Sequence, residues 1–191
     1  MKNLTAFFCI ITLLFSFTTC SDNDSDDNCD DVLWDFANYE IYMTAIDADG
    51  GRNLFDPNNP NNLLDGGVWI TYKDKRYDIV DKDFPNKPNT KATYVRPLAL
   101  RHYPLKTGGQ PGYPADMGFG EFAPGSYKNE IFTIHWSDGT TDEVKFDCYI
   151  TWDKCDPTIH KALYLNGKQL SDKHYPTLSF VKGGKKTTHA Q

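Results

Sequence analysis

The sequence lacks the features that several large classes of protein require. Its 14 glycines and 11 prolines follow no period, which excludes a collagen-like repeat. No apolar run reaches the roughly 18 to 20 residues that a membrane-spanning helix needs. No nucleophile elbow, zinc-protease motif, phosphate loop or Rossmann glycine pattern occurs, and the five histidines stand singly. We therefore expect a protein that is not an enzyme.

An excess of basic residues is also missing. The chain has 20 lysines and arginines against 26 aspartates and glutamates. Setting aside Lys2 and the six aspartates between residues 21 and 31 leaves 19 basic and 20 acidic residues for 32–191. Without a basic face nothing neutralises a phosphate backbone, so nucleic acid is excluded as the main partner.

The N-terminal residues have the pattern of an export signal. Lys2 supplies a positive charge, and residues 4–17 form an apolar stretch, which predicts a signal peptide over residues 1–19. The run from Phe17 to Cys20 (FTTC) resembles the lipobox of bacterial lipoproteins. The resemblance implies that Cys20 is lipidated and anchors the mature chain to a membrane. The alternative is ordinary secretion, with Cys20 left as a thiol.

An acidic segment follows the anchor. Residues 20–31 contain six aspartates and no basic residue, so they cannot bury enough apolar surface to fold and are expected to form a disordered tether. A Ser/Asp run directly after the lipidated cysteine resembles the export signal of Bacteroidetes lipoproteins. This resemblance implies an outer-membrane protein that faces the cell exterior. The alternative is a solvated spacer.

The rest of the chain alternates apolar and polar residues, as antiparallel strands with one packed face do. The clearest hairpin joins residues 130–136 to 143–152 through the turn residues Asp138 and Gly139. Its expected core face consists of Phe132, Ile134, Trp136, Val144, Phe146, Cys148, Ile150 and Trp152. Other strands are expected at 39–46, 68–72, 76–80, 93–101, 162–165, 168–170 and 177–181. We therefore predict an all-β domain over residues 32–181, an antiparallel two-sheet sandwich of about eight strands, and a flexible basic tail over 182–191.

Several segments carry a family resemblance. The segment APGSY at 123–127 resembles a turn of bacterial immunoglobulin-like domains, which implies that Tyr127 fixes the entry to the next strand. The whole chain resembles Bacteroidetes surface lipoproteins with an immunoglobulin-like β-sandwich. The matching segments are WDF at 34–36, DADGGRNLFDP at 47–57, WSDGT at 136–140 and LYLNGK at 163–168. The resemblance implies an immunoglobulin-like fold and brings no activity with it.

Two groups of residues are candidates for metal binding and cross-linking. The oxygen-bearing side chains of Asp47, Asp49, Asn53 and Asp56 alternate around a glycine turn, as the ligands of calcium loops do, and no other cofactor is expected. A disulfide between Cys148 and Cys155 is favoured, because it would close a short loop and hold the end of the strand. The alternatives are a Cys29 to Cys155 pair and no disulfide at all.

Residues 104–129 form the most irregular segment, with glycine or proline at ten of 26 positions, which predicts one long functional loop. Aromatic rings near it could stack on sugars or hold a partner. The candidate ligand-binding residues are Trp69, Tyr103, Tyr113 and Phe119. We expect a non-catalytic binding module for a glycan or an envelope protein. The alternatives are a structural accessory subunit of an envelope complex and a hydrolase with an unrecognised site. The sequence carries no signal for the oligomeric state.

Overall fold

Ten β-strands and no helix make up the regular structure of the residues that can be described. The computed structural model describes residues 35–81, 96–103, 116–170 and 177–183. The strands are β1 Tyr39–Asp47, β2 Val68–Tyr72, β3 Lys75–Asp81, β4 Ala99–His102, β5 Met117–Phe122, β6 Ser126–Trp136, β7 Thr141–Asp153, β8 Asp156–Leu165, β9 Lys168–Gln169 and β10 Leu178–Lys182. Within these ranges there is no helix of the length and hydrophobicity that a membrane span requires. The predicted all-β class is confirmed.

The strands form one mixed sheet that curls on itself, in the order β10-β1-β5-β4-β3-β2-β6-β7-β8-β9. Two neighbouring pairs, β1 with β10 and β3 with β4, are parallel, and the others are antiparallel. The expectation of about eight antiparallel strands in two sheets therefore differs from the structure. The parallel pairing of β3 with β4 joins what would otherwise be two separate halves.

Curling brings the inner faces of the two halves together around an aromatic core. Phe119 of β5 packs edge-on against Phe132 of β6, with 5.0 Å between ring centroids. Phe122 of β5 lies 4.6 Å from Phe146 of β7. We call this side of the sheet the core face and the opposite side the outer face.

The β6–β7 hairpin follows the predicted alternation over most of its length. Phe132 pairs with Val144, and of the eight expected core residues the first six are buried. Gly139 has the positive φ expected of the turn, +86°. The prediction is wrong for Trp152, which is 54% exposed, while Ile150 is partly buried. Beyond Tyr149, β7 pairs only with β8, so its end projects past the core.

The predicted long loop at 104–129 contains a strand. Residues 117–122 form β5, so the loop prediction is wrong there, and residues 104–115 lie outside the described part. Gly118 and Gly120 serve close packing rather than turns. A Cβ atom at Gly120 would lie 2.5 Å from the Cα atom of Glu40 on β1. The glycines are needed because the two strands approach too closely for a side chain.

The predicted Cys148–Cys155 disulfide is wrong. Cys148 is a free, buried cysteine, whereas Cys155 is disulfide-bonded. Cys148 lies inside β7, and Cys155 lies in the turn after its last residue, Asp153. Five residues of strand span about 16 Å, while disulfide-bonded Cα atoms are about 4.4 to 6.8 Å apart. The competing pair, Cys29 to Cys155, stays a prediction, since Cys29 lies outside the described residues.

The C-terminal boundary of the predicted domain lies within the described residues, and the N-terminal segments do not. At the C-terminal end, Lys182 belongs to β10 and bonds to the Asp142 carboxylate at 2.7 Å, so the predicted flexible tail begins too early. At the N-terminal end, the signal peptide, Cys20 and the tether of 20–31 all lie outside the described residues.

Candidate functional site

The outer face of the β7–β8 hairpin carries three consecutive cross-strand pairs. They are Lys145 with Tyr164, Asp147 with Ala162, and Tyr149 with His160. These residues alternate with Val144, Phe146 and Cys148, which are buried on the core face. Because every second residue of a strand points to the same side, the three pairs form a ladder with steps of about 7 Å.

The middle pair is the floor of a groove of about 380 Å³. Its lining consists of Asp147, Tyr149, Ile159, His160, Lys161, Ala162 and Tyr164. The groove exists because the floor position on β8 is alanine, which is small, while the positions two residues before and after it carry rings. We call this feature the β7–β8 groove.

Both walls of the β7–β8 groove combine a ring with a lysine. On one side Tyr149 stacks on His160, with centroids 4.7 Å apart and planes at 17°, and the ammonium of Lys128 lies 4.2 Å from the Tyr149 ring. On the other side the ammonium of Lys145 lies 4.8 Å from the Tyr164 ring. Such contacts between a cation and a ring face hold the side chains in place.

The carboxylate of Asp147 is positioned by the backbone. One of its oxygens accepts a hydrogen bond from the N–H of Asn129 at 2.6 Å. Asn129 adopts a positive φ of +54° at an irregularity in the β6–β7 pairing, which turns its N–H toward β7. Within the described ranges, the second Asp147 oxygen makes no hydrogen bond, so it can accept one from a ligand.

No family model, curated protein or solved structure matches the chain. The proposed function therefore rests on the geometry of the described residues.

The structure separates the four predicted ligand-binding residues. Tyr103 and Phe119 are 1% and 0% exposed, so the prediction is wrong for both: their rings belong to packed interiors. Tyr113 lies outside the described residues. Trp69 is on the outer face but far from the β7–β8 groove, because β6 and β7 separate β2 from β8.

Trp69 offers no free ring face to a ligand. His135 stacks on it, with centroids 3.6 Å apart and planes at 5°, and the guanidinium carbon of Arg76 lies 4.3 Å from the ring centroid. These two groups come from the strands on either side of β2, so they cover opposite faces of the indole. Burial, and then the charge of Arg76, lower the pKa of His135, which keeps its imidazole neutral at pH 7.

A second polar cluster lies on the outer face of β1, β4 and β5. The hydroxyl of Tyr103 donates to a Glu40 oxygen at 2.5 Å, and Arg96 pairs with Glu121 at 3.2 Å. Arg101 is fully buried, donates to the carbonyl of Pro97 at 2.6 Å and lies 3.8 Å from Glu121. Burial, followed by the hydrogen bond to Glu40, raises the pKa of Tyr103. With two carboxylates and two guanidiniums, the cluster balances its own charge and ties three strands together.

The predicted calcium ligands do not converge. The Asp47 carboxylate accepts the N–H of Asp49 at 2.9 Å and the Arg52 guanidinium at 3.4 Å. Asn53 and Asp56 instead accept backbone N–H groups two residues further along the chain. In the described ranges, no three acidic, histidine or cysteine side chains lie where they could share a metal ion. The oxygen-rich sequence serves turn formation here.

Sequence reasoning missed the β7–β8 groove because it made β8 too short. The expected strand covered 162–165, so His160 was not placed opposite Tyr149. The available signal was Tyr149 itself, an aromatic residue on a face otherwise formed by Lys145, Asp147 and Thr151. A matching alternation of Thr158, His160, Ala162 and Tyr164 continues on the partner strand.

Proposed function

We propose that the protein is a non-catalytic glycan-binding module whose site is the β7–β8 groove. The observation that supports this most is that the Asp147 carboxylate and the Tyr164 ring line the same groove. Tyr149, like Trp69, lies between a histidine ring and a cation, so it shapes its wall without offering a ring face. A sugar ring has apolar faces and a rim of hydroxyls. The Tyr164 ring suits such a face, and a carboxylate oxygen with a spare lone pair suits the hydroxyls.

A binding role without catalysis fits the composition of the groove. Glycoside hydrolysis uses two carboxyl groups on either side of the scissile bond. Asp147 is the one acidic residue among those that line this groove. Glu40 and Glu121 belong to the self-balanced cluster on the other half of the sheet, where arginines and Tyr103 already bond to them. The hydrolase alternative therefore has less support than binding.

The cellular setting and family relationship belong to the same proposal. The lipobox-like segment ending at Cys20 and the acidic run that follows support a lipid-anchored protein on the exterior of the outer membrane. A tether of this kind would place the module where extracellular glycans occur. The contact between β5 and the β6–β7 hairpin supports an immunoglobulin-like sandwich, whereas the two parallel pairings depart from an antiparallel one.

A partner protein is the second candidate ligand, and a specific surface favours it. The end of the β7–β8 hairpin exposes 54% of Trp152 and 38% of Ile159. Phe36 packs edge-on against Trp152 at 6.4 Å. Exposed apolar groups that lie close together are typical of protein interfaces. A structural accessory subunit of an envelope complex would use the same surface.

Glycan-array screening followed by calorimetry on the purified mature protein tests the glycan proposal. We expect Asp147→Asn to weaken binding about tenfold, since a hydrogen bond to a charged group contributes about 1.5 to 3 kcal/mol. Tyr164→Ala should weaken binding by about the same factor, because it removes the ring on which a sugar face packs. Trp69→Ala is the matched control, because it removes an outer-face ring away from the groove, and it should bind as the wild type does.

Two outcomes would contradict this. If Trp69→Ala alone abolishes binding, the glycan site is at the Arg76–Trp69–His135 stack and not in the groove. If no glycan binds, the glycan proposal fails, and the exposed hairpin end becomes the surface to test with envelope proteins.

A further inference from the structure

We infer that the β7–β8 groove selects acidic polysaccharides, whose sugars carry carboxylate or sulfate groups. This inference rests on the proposed glycan-binding function and adds the class of ligand. It is based on the lysines around the groove.

Lys128 and Lys145 stand one at each wall. Each ammonium lies over a tyrosine ring, that of Tyr149 or Tyr164. Neither lysine has a carboxylate partner within the described residues. Two other lysines of this sheet are paired with carboxylates: Lys73 with Glu130 at 3.1 Å and Lys182 with Asp142 at 2.7 Å. The two wall lysines therefore keep their charge available to a ligand.

The local charge runs against that of the whole chain. The chain has a formal net charge of −6, most of it from the six aspartates between residues 21 and 31, while residues 32–191 have 19 basic and 20 acidic side chains. At the groove the ammonium groups are those of Lys128 and Lys145, and Asp147 is the one acidic residue of the lining. The ammonium of Lys161 lies on the core face, over the Tyr39 ring. Glu143 stands one step of the ladder beyond the Lys145 wall. A locally cationic site on a nearly neutral domain attracts anions to that place.

The positions of the charges suit a polymer better than a single sugar. The two wall lysines are on opposite sides of the floor, with wall positions about 13 Å apart along the strands. A chain of sugars crossing the groove would present its hydroxyls to Asp147 and its acidic groups to the walls. A neutral glycan would use only the Tyr164 ring and Asp147.

Calorimetric titration with matched polysaccharides tests the inference. The probes are polygalacturonate, dextran sulfate and, as the neutral counterpart, unsubstituted dextran, each at about 20 mM and about 500 mM salt. We expect at least one acidic polymer to bind about tenfold or more tightly than dextran at low salt. High salt should remove most of this preference. Tighter binding of polygalacturonate would identify carboxylate as the anion that the groove prefers, and tighter binding of dextran sulfate would identify sulfate.

Lysine variants locate the effect in the groove. Lys145→Gln and Lys128→Gln should each weaken binding of the acidic polymer about threefold to tenfold. Lys145→Arg keeps the positive charge and should bind the acidic polymer as the wild type does. Lys75→Gln is the matched control, because its ammonium also lies over a tyrosine ring, Tyr77, at 5.1 Å but on β3. It should bind as the wild type does.

Different results would overturn different claims. Equal binding of dextran and the acidic polymers, lost on Tyr164→Ala, would refute selectivity and leave the glycan function standing. An equal loss in Lys75→Gln would also refute the inference, because the attraction would then come from the whole surface. Absence of binding to any glycan would refute both.

Discussion

Phe146 and Lys145 are neighbours in β7 whose side chains lie on opposite faces of the sheet. Phe146 is fully buried and its ring contacts those of Phe122 and Phe132. Phe146→Ala should lower the free energy of unfolding by about 3 to 5 kcal/mol, because it leaves a cavity in an aromatic core. Lys145→Ala should change it by no more than about 0.5 kcal/mol. Denaturant melts measure both, and equal effects would contradict the strand register.

Asp142 joins three parts of the chain through one carboxylate. It accepts hydrogen bonds from the Trp136 indole at 2.8 Å and the Asn166 amide at 2.8 Å, and it pairs with Lys182 at 2.7 Å. Burial by itself raises the pKa of Asp142, but the hydrogen bonds from Lys182, Asn166 and Trp136 outweigh it and leave the pKa below its usual value. The ionised carboxylate thus stabilises the fold at neutral pH.

A depressed carboxyl pKa contributes stability above the unfolded pKa, about 3.9, and loses it as the pH falls through the lower folded value. Asp142→Asn should therefore lower the free energy of unfolding by about 1 to 3 kcal/mol at pH 7, and by progressively less below about pH 4. Denaturant melts across this range test it. Asp78→Asn, which removes an exposed ion pair with Arg76, is the control. It should lower the free energy of unfolding by less than about 0.5 kcal/mol. A cost of Asp142→Asn that does not change with pH would refute the assignment.

At the residue scale, alternation predicted burial well where the strand lies over the core. Phe132, Ile134 and Val144 are buried as expected because their strands have neighbours on both sides. Alternation failed at Trp152, since a pattern shows which face a residue is on but not where the opposing half of the sheet ends. It also could not show that Phe119 is a core residue, because the glycines around it suggested a loop.

Among the strands, β5 is the one whose packing depends most on glycine residues. Gly120→Ala should destabilise the protein by about 1 to 3 kcal/mol, because the new Cβ atom would meet the Glu40 backbone at 2.5 Å. Gly125→Ala is the matched control: its Cβ would come no closer than 3.8 Å to the Ala123 carbonyl. Thermal melts of the two variants compare them directly. Similar melting temperatures would mean that β1 and β5 do not approach as closely as described.

Element boundaries were predictable where a turn motif stands next to regular alternation. The β6–β7 turn at Gly139 and the β8–β9 turn at Asn166 and Gly167 all have the positive φ that their residue types favour. The start of β8 was not predictable in the same way, because Pro157 lies at its second position and weakens the strand signal. The groove was missed together with that part of β8.

For the whole molecule, the first property to establish is the membrane anchor. We expect a fatty-acid probe fed to cells to label the protein, and Cys20→Ser to abolish the label, because we propose the Cys20 thiol as the site of attachment. Cys29→Ser is the control and should keep the label. An unlabelled wild-type protein recovered in the soluble fraction would refute the anchor.

The architecture as a whole could be predicted only to its class. Strand-rich alternation without helix periodicity is a local property, so an all-β fold followed directly. The order of the strands depends on pairings between distant segments, such as Ile79 of β3 with Leu100 of β4 in parallel. Periodicity within a strand holds no information about its partner, and so the curled single sheet was not foreseen.

The pairing of β1 with β10 also sets an order of events in folding. Met43 lies beside Leu178, so among the described residues the first strand has the last one as its neighbour. A chain made from its N-terminus must hold β1 without this partner until almost all of the domain has been synthesised. Contacts between such distant segments form slowly, because a long loop must close before they contribute any stability. One edge of β1 can pair with β5 earlier, but its other edge would stay open until β10 has been made, which makes that edge a natural point of contact for a chaperone.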